Sequence, residues 1–276
     1  MPSHGIRDEE RRAWREDGFF VRRAAFSAAE VEALRDAAET AVARVTAAAG
    51  HGGSCYAIDG NRYEEALEAT LQYEHQPGSR TLRVIEPFHH LDPRFEALID
   101  DPRLVDPMRH LVGDDRVSLF TDKLNLKRPR DGSRFRWHQD SPYWAHFTRD
   151  LDRLPNVMIA LDDAGEHNGC FRVIRGSHRR GMLPGLEGQG TLGPLFTDPR
   201  HFDLSQQVPA VVPAGSLVFF SPHTVHGSEP NRSDDLRRAM VLTYQPGGRR
   251  MFKVDAKREA GRREDPPVSR SGSPPR

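Results

Sequence analysis

The stretch Phe135-Arg136-Trp137-His138-Gln139-Asp140-Ser141-Pro142-Tyr143-Trp144, near the middle of the chain, decides how the fold and the chemistry are interpreted. Its first half has the aromatic character of a β-strand. Side chains two residues apart on a strand project to the same face. We therefore expect the imidazole of His138 and the carboxylate of Asp140 to lie side by side.

A second histidine completes a set of metal-binding groups. His226 follows a strand-like run that ends at Phe219-Phe220. Two imidazoles and one carboxylate on one face of a metal ion are typical of non-haem Fe(II) sites, which keep other positions open for a co-substrate and O2. His223, three residues earlier, is a competing candidate. A His-x-Asp pair by itself also occurs by chance on exposed strands, so the assignment needs a second observation.

Arg237 supplies that observation. It lies eleven residues after His226, where another strand-like run begins. A buried arginine beside a metal is costly unless it holds an anion, and its planar guanidinium matches a carboxylate in a two-point contact. This arrangement predicts a dicarboxylate that chelates the metal at one end and pairs with Arg237 at the other. The neighbouring Arg238 should point to the opposite face. We therefore expect its removal to have little effect on binding of the dicarboxylate.

The segments around this stretch predict an antiparallel β fold. Strand-like runs recur through the middle of the chain, at residues 117–120, 157–161, 170–174, 216–220 and 239–244. Turn signals such as Asn168-Gly169 separate them, and most have no helix-length segment between them, which argues against parallel βαβ units. The fold class predicted is mostly β with flanking helices, a sandwich or barrel of the jelly-roll type.

The first part of the chain, to about Val112, is predicted to be helical. Ser27 and Glu30 form a capping-box signature, and apolar residues behind them recur at helical spacing as far as Gly50. A helical part to about residue 112 and a jelly-roll core at about 113–250 make a single domain over residues 1–256. Residues 257–276, polar and rich in Arg, Pro and Ser, are predicted to be a disordered tail.

Composition narrows the classes of function. The 276 residues carry 40 Lys and Arg against 40 Asp and Glu, so no net charge draws the protein to nucleic acid or to an anionic membrane. The two cysteines match no disulfide scaffold or zinc spacing. No apolar run reaches the roughly 18 residues of a membrane span, and the N-terminus has no apolar leader. We expect a soluble, cytoplasmic protein that acts on a small-molecule substrate, and the oligomeric state is left open.

Several motifs follow one another at recognisable spacing, among them Asp17-Gly18-Phe19-Phe20-Val21, Asp122-Lys123-Leu124-Asn125-Leu126-Lys127, Trp137-His138-Gln139-Asp140, Gly176-Ser177-His178 and His226-Gly227-Ser228. From about Trp14 to Gly247 the chain resembles the phytanoyl-CoA dioxygenase family of Fe(II)- and 2-oxoglutarate-dependent oxygenases. Within it, the chain is most similar to bacterial small-molecule hydroxylases such as ectoine hydroxylase. The resemblance implies a double-stranded β-helix, a cupin-like jelly roll, with helices packed on one side.

The resemblance also implies roles for individual residues. His138, Asp140 and His226 would be the iron ligands. Arg237 would hold the distal carboxylate of 2-oxoglutarate, with Ser228 adding a hydroxyl donor. The other positions that match co-substrate residues of the family are Asn125, Phe135 and, with an exposed strand arginine as the alternative, Arg83.

Two aromatic positions match residues that clasp the substrate in ectoine hydroxylase. They are Trp144 and Phe220, and core packing is the alternative for both. Thr121 stands where ectoine hydroxylase has glutamine, and Val241 where it has an aromatic residue. These departures argue against ectoine as the substrate.

The implied reaction hydroxylates an unactivated C–H bond of a small metabolite, uses Fe(II), 2-oxoglutarate and O2, and releases succinate and CO2. No catalytic side chain beyond the metal centre is predicted. Two alternatives stay open: an iron enzyme with the same ligands that desaturates or epimerises its substrate, and a non-catalytic cupin-like binding protein. The binding protein is disfavoured because the three ligands and Arg237 are all present.

Overall fold

Antiparallel strands flanked by helices make up the computed structural model, which describes residues 4–51, 53–254 and 256–260. The helices are α1 (Asp8–Asp17), α2 (Ala28–Ala48), α3 (Pro93–Leu98), α4 (Pro102–Val112) and α5 (Ser141–Trp144). The strands are β1 (Phe19–Arg22), β2 (Cys55–Ile58), β3 (Asn61–Ala66), β4 (Ala69–Tyr73), β5 (Leu82–Glu86), β6 (Val117–Lys127), β7 (Phe135–His138), β8 (Asn156–Ala160), β9 (Arg172–Ile174), β10 (Gln207–Pro209), β11 (Leu217–Phe220), β12 (His226–Ser228), β13 (Arg237–Pro246) and β14 (Glu259–Ala260).

The strands form two antiparallel sheets. The larger has the order β1-β11-β8-β13-β6-β5-β4-β3-β2, with β14 pairing with β6 outside this path. The smaller has the order β10-β9-β12-β7. The expectation of a mostly β fold with antiparallel strands and flanking helices is therefore confirmed.

The main apolar core lies between the helices and the larger sheet. Helix α2 begins where the capping box predicts: the backbone N–H of Ser27 donates to the Glu30 carboxylate at 2.8 Å, and Ser27 Oγ accepts from the backbone N–H of Glu30. Its buried face, with Val31 and Leu34, joins that core. A second apolar cluster contains Phe19 of β1, Phe171 beside β9 and Phe220 of β11, and so joins the two sheets.

The prediction of a helical region as far as Val112 is wrong for residues 55–86. Strands β2 to β5 pair in sequence there, at one end of the larger sheet. Asp59 and Gly60 form the β2–β3 turn with φ angles of 49° and 78°, the left-handed conformation for which Asp-Gly is favoured. Strands β2 and β3 lack a clear apolar alternation because β2 is an exposed edge strand and β3 is polar. Strand β4 alternates buried and half-buried residues, so the turn and this alternation were the signals available.

The predicted tail does not begin at residue 257. Strand β14 pairs with β6, and the backbone N–H of Leu119 donates to the carbonyl of Arg258 at 2.7 Å. The Arg258 guanidinium lies 2.7 Å from the Asp100 carboxylate. These contacts order residues 257–260 in spite of their polar composition, and the rest of the predicted tail, 261–276, lies outside the described residues.

Across the described residues, none of the helices combines the length and apolar character that crossing a membrane requires.

Candidate active site

Three predicted metal ligands meet where β7 and β12 pair. His138 and His226 face each other across these strands, with ring centroids 4.1 Å apart. Asp140 Oδ2 lies 3.9 Å from His226 Nε2. One ligand atom from each of the three side chains lies within 4.8 Å of the others, and no other group of three His, Cys, Asp or Glu side chains in the described part of the chain is so arranged.

Asp140 reaches this position through a bend, which differs from the strand alternation we expected. Strand β7 ends at His138, and Asp140 has helical φ and ψ angles of −77° and −31° just before α5. The backbone N–H groups of Asp140 and Ser141 donate to the carbonyl of Pro222 at 3.0 and 3.1 Å. The segment that precedes His226 therefore fixes the bend that carries Asp140.

The two histidines present the nitrogen that a metal needs. The Nδ1–H of His138 donates to the carbonyl of Arg136 at 2.7 Å, and the Nδ1–H of His226 donates to the carbonyl of Thr224 at 2.9 Å. Because a carbonyl oxygen only accepts, Nε2 of each ring keeps its lone pair. Burial lowers the pKa of His226, and burial together with His226 holds the pKa of His138 well below its usual value. Both imidazoles are therefore neutral, the form that binds a metal.

Two buried polar residues that the sequence analysis overlooked orient Asp140. Asn156 Nδ2 donates to Asp140 Oδ2 at 2.9 Å, and Thr243 Oγ1 donates to Asn156 Oδ1 at 2.6 Å. Both side chains are buried. The sequence does offer a signal for Asn156, which stands at the start of the apolar run of β8. A polar side chain in a buried strand needs hydrogen-bond partners.

The competing histidine, His223, lies outside the group of ligands. Its Nδ1 is 2.9 Å from Ser141 Oγ, and its Nε2 is 3.0 Å from the Asp152 carboxylate. The geometry therefore places His226, and not His223, with His138 and Asp140.

A cationic pocket adjoins the three ligands. Arg237 begins β13, and Ser228 lies on β12 opposite Phe135 of β7. Arg237 Nε and Ser228 Oγ are buried and form no hydrogen bond with any described residue. Burial lowers the pKa of Arg237 to about 10, so the guanidinium remains charged at neutral pH. Unpaired buried polar atoms cost about 1–3 kcal/mol each, so these two donors are available to a bound polar ligand.

Lys127 is a further basic side chain of this pocket that the sequence motifs did not single out. It lies directly opposite Arg237 on the neighbouring strand β6, and its Nζ donates to the carbonyl of Glu229. Its Nζ is 5.6 Å from the centroid of Phe135, and the Arg83 guanidinium lies 3.9 Å from the same ring. Burial, with Arg237 and Arg83 nearby, lowers the pKa of Lys127 to about 5. Lys127 is therefore uncharged at neutral pH when the pocket holds no anion, and a bound carboxylate would favour its protonated form.

Comparison with known proteins agrees with this geometry. Residues 14–239 match the model of the phytanoyl-CoA dioxygenase family. The chain belongs to the phytanoyl-CoA dioxygenase family. It is 30% identical over 208 residues to L-proline trans-4-hydroxylase of Streptomyces griseoviridis, covering 68% of this chain and 74% of that protein. It is 30% identical over 197 residues to ectoine dioxygenase of Bordetella bronchiseptica, covering 66% of this chain but only 61% of that protein.

Solved structures of the same kind contain the expected cofactors. EctD from S. alaskensis with 2-oxoglutarate and 5-hydroxyectoine superposes with a TM-score of 0.68 at 25% identity, covering 90% of this chain and 78% of that one. EctD with bound Fe gives a TM-score of 0.67 at 25% identity, covering 94% and 82%. This family member is thus an iron- and 2-oxoglutarate-dependent dioxygenase, and the unpaired donors of Arg237 and Ser228 fit a dicarboxylate.

Arg238 of the dioxygenase has a structural role that the strand pattern did not predict. It points away from the pocket, but it is buried, and its guanidinium binds the Asp162 carboxylate at 2.8 and 2.9 Å and Glu39 of α2 at 2.8 Å. Its removal would take one partner from each carboxylate, so we expect lower stability, and the near-neutral effect on co-substrate binding stays a prediction.

The two aromatic residues suggested as substrate contacts have different surroundings. Trp144 is buried in a cluster with Phe120 and Leu154, which is the core packing named as its alternative. Phe220 is buried too, and its ring centroid lies 5.0 Å from that of His226. Of the two, Phe220 is the one in contact with the candidate metal centre of the dioxygenase.

Proposed function

We propose that this dioxygenase hydroxylates an unactivated C–H bond of a small polar metabolite and couples the reaction to conversion of 2-oxoglutarate into succinate and CO2. His138, Asp140 and His226 hold Fe(II). The observation that carries the proposal is the grouping of these three ligands next to a buried pocket with unpaired donors on Arg237 and Ser228.

The protein side chains have distinct tasks in this proposal. An iron ion held by the three ligands, together with 2-oxoglutarate, would supply the activation of O2 that C–H hydroxylation needs. Arg237 pairs with the distal carboxylate of 2-oxoglutarate, and Ser228 donates its hydroxyl to it. The remaining residues of the co-substrate pocket are Asn125 and Phe135, with Arg83 stacked on Phe135 and Lys127 opposite Arg237. Asn156 keeps the Asp140 carboxylate in its orientation.

Hydroxylation is favoured because relatives at about 30% identity are named a hydroxylase of L-proline and a dioxygenase of ectoine. Structural neighbours with other outcomes, a carbocyclase and an epimerase, share 21% and 19% identity, which supports the common fold alone. We infer that the substrate is a free small molecule, such as an amino acid derivative or a natural-product intermediate.

The arrangement of the two sheets and the extent of the domain are also part of the proposal. We infer that the two antiparallel sheets form a double-stranded β-helix, the cupin-like jelly roll, and that one oxygenase domain extends from the N-terminal helix to β14. The superposition with EctD supports this inference. A cytoplasmic location stays a prediction from the sequence, as does the absence of nucleic-acid and membrane partners.

Succinate release tests the proposed function. The purified protein, supplied with Fe(II), 2-oxoglutarate and O2, should release succinate faster when a pool of small metabolites is added, and mass spectrometry should find a compound that has gained one oxygen atom. A loss of two hydrogens instead would identify a desaturase. Binding of metabolites without any succinate would identify a binding protein.

A further inference from the structure

A second lysine lies on the same strand face as Lys127, at the other side of the candidate metal centre. Strand β6 presents alternate residues to the site, and these are Thr121, Lys123, Asn125 and Lys127. At roughly 3.3 Å per residue, Lys123 and Lys127 are about 13 Å apart along the strand. The two lysines therefore lie at opposite ends of this face of β6, with Asn125 between them.

Lys123 lies close to the ligands themselves. Its Nζ is 5.9 Å from the ring centroids of both Tyr143 and Trp144, and the Tyr143 ring is 5.9 Å from that of His138. The Glu86 carboxylate, 3.9 Å from Lys123 Nζ, favours the charged ammonium form of this side chain. A charged group here faces whatever molecule occupies the space beside the iron ligands.

The charge of Lys123 is only partly balanced by its surroundings. Its Nζ is 3.9 Å from the Glu86 carboxylate, beyond hydrogen-bond distance, and it has no hydrogen bond with any described residue. Glu86 already binds Lys253 Nζ at 2.8 Å and accepts from Thr121 Oγ1 at 3.0 Å. Two ammonium groups thus share one carboxylate. Asp140, the other nearby anion, is used by iron in the proposed function.

We propose that Lys123 binds an oxyanion of the primary substrate, a carboxylate or phosphonate, and so places the substrate beside the iron. Glu86 is the positioning residue that keeps the Lys123 ammonium close to the candidate iron ligands. The proposal rests on the proposed function and narrows its substrate class to anionic or zwitterionic small molecules. The oxyanion supplies the charge-assisted hydrogen bonds that Lys123 lacks.

Anaerobic calorimetry of the protein loaded with Fe(II) and 2-oxoglutarate tests the proposal without turnover. The probes are two matched pairs: L-proline with L-prolinamide, and methylphosphonate with its dimethyl ester. We expect at least one acid to bind, and its partner, which lacks the oxyanion, to bind at least about tenfold more weakly, the value of one hydrogen bond to a charged group. Lys123→Met should weaken binding of the acid by about the same factor, and Lys123→Arg should restore part of it.

The controls separate this proposal from the proposed function. Lys257→Met, at an exposed position, should bind the acid like the unchanged protein. Binding of 2-oxoglutarate to Lys123→Met should be unchanged, whereas its failure in the unchanged protein would contradict the proposed function itself. Three results would overturn the role of Lys123: equal binding of an acid and its partner without the oxyanion, unchanged acid binding in Lys123→Met, or no binding of either acid while 2-oxoglutarate is bound.

Discussion

At the scale of single residues, backbone carbonyl groups determine the tautomer of both candidate iron-binding histidines. The carbonyls of Arg136 and Thr224 accept the Nδ1 protons of His138 and His226, so Nε2 is the nitrogen whose lone pair is free to bind a metal. Hydrogen bonds of this kind orient a ligand ring and raise its basicity. The two imidazole rings are therefore preorganised for metal binding.

Replacing either His226 or His223 should show which of the two histidines is the iron ligand. His226→Ala should abolish turnover and weaken Fe(II) binding by more than about a hundredfold, because loss of a ligand exceeds the usual effect of losing a supporting residue. His223→Ala is the matched control: it should keep Fe(II) binding, since His223 contacts Ser141 and Asp152 instead. Anaerobic titration with Fe(II) measures both. The opposite pattern would show that His223 is the ligand.

Arg237 and Arg238 make a second matched pair. Arg237→Ala should cost about 3–5 kcal/mol of 2-oxoglutarate binding, because it leaves a buried carboxylate without its partner. Arg237→Lys should recover part of the loss, since an ammonium lacks the planar fork. Calorimetry with 2-oxoglutarate measures the affinity in each variant.

Arg238→Ala is the control for the co-substrate pocket. It should bind 2-oxoglutarate normally but unfold at a lower temperature, because Asp162 and Glu39 each lose one of their arginine partners. Normal 2-oxoglutarate affinity in Arg237→Ala would place the co-substrate elsewhere.

At the scale of elements, one buried carboxylate joins α1 to β1. Glu10 of α1 is buried, and its carboxylate accepts hydrogen bonds from Arg22 of β1 at 2.8 and 2.9 Å and from Arg7 at 2.7 Å. Burial alone would raise the pKa of Glu10, but these arginines outweigh it and lower the pKa to about 2. The N-terminal helix is thereby fixed to the edge strand of the larger sheet.

The lowered pKa of Glu10 predicts how this attachment depends on pH. Its contribution is fully present above about pH 4.5, the unfolded value, and is lost as the pH falls towards about 2. Glu10→Gln should lower the free energy of unfolding by about 3 kcal/mol at pH 7. Denaturant unfolding at several pH values should show this difference shrinking on acidification. A difference that stays constant from pH 7 to pH 2 would contradict the assignment.

At the scale of the whole molecule, the site joins the two sheets. His138 and His226 belong to the smaller sheet, whereas Arg237 and Asn125 belong to the larger one. Iron and 2-oxoglutarate would bridge these layers. Because both bind the folded state, they shift the unfolding equilibrium.

Ligand binding should therefore stabilise the entire fold. At 2-oxoglutarate concentrations of about 100 times its Kd, with Fe(II) present and O2 absent, the gain is about 2.7 kcal/mol. For a chain of this size that corresponds to an increase in Tm of roughly 5 °C or more. A thermal melt followed by circular dichroism measures it. Arg237→Ala should lose the increase in Tm caused by 2-oxoglutarate but keep the increase caused by Fe(II). An equal increase with 2-oxoglutarate in Arg237→Ala and in the unchanged protein would contradict the placement of 2-oxoglutarate beside Arg237.

Local features of the sequence determined much of this molecule. The Ser27–Glu30 capping box set the start of α2, and short apolar runs between turns set the central strands. The ligand types and their spacing pointed to His138, Asp140, His226 and Arg237. These features depend on neighbours in the chain or on the chemistry of one side chain, so a sequence displays them directly.

Only the tertiary structure decided the features that depend on contacts between distant segments. The bend at Asp140 is held by Pro222, and the orientation of its carboxylate by Asn156. Lys127 becomes a pocket residue because β6 pairs with β13, which sets it opposite Arg237. The adjacent residue, Arg238, is buried on the other face by carboxylates from elsewhere in the chain. Strand alternation predicts that neighbouring arginines point apart, but only the packed fold determines what each one meets.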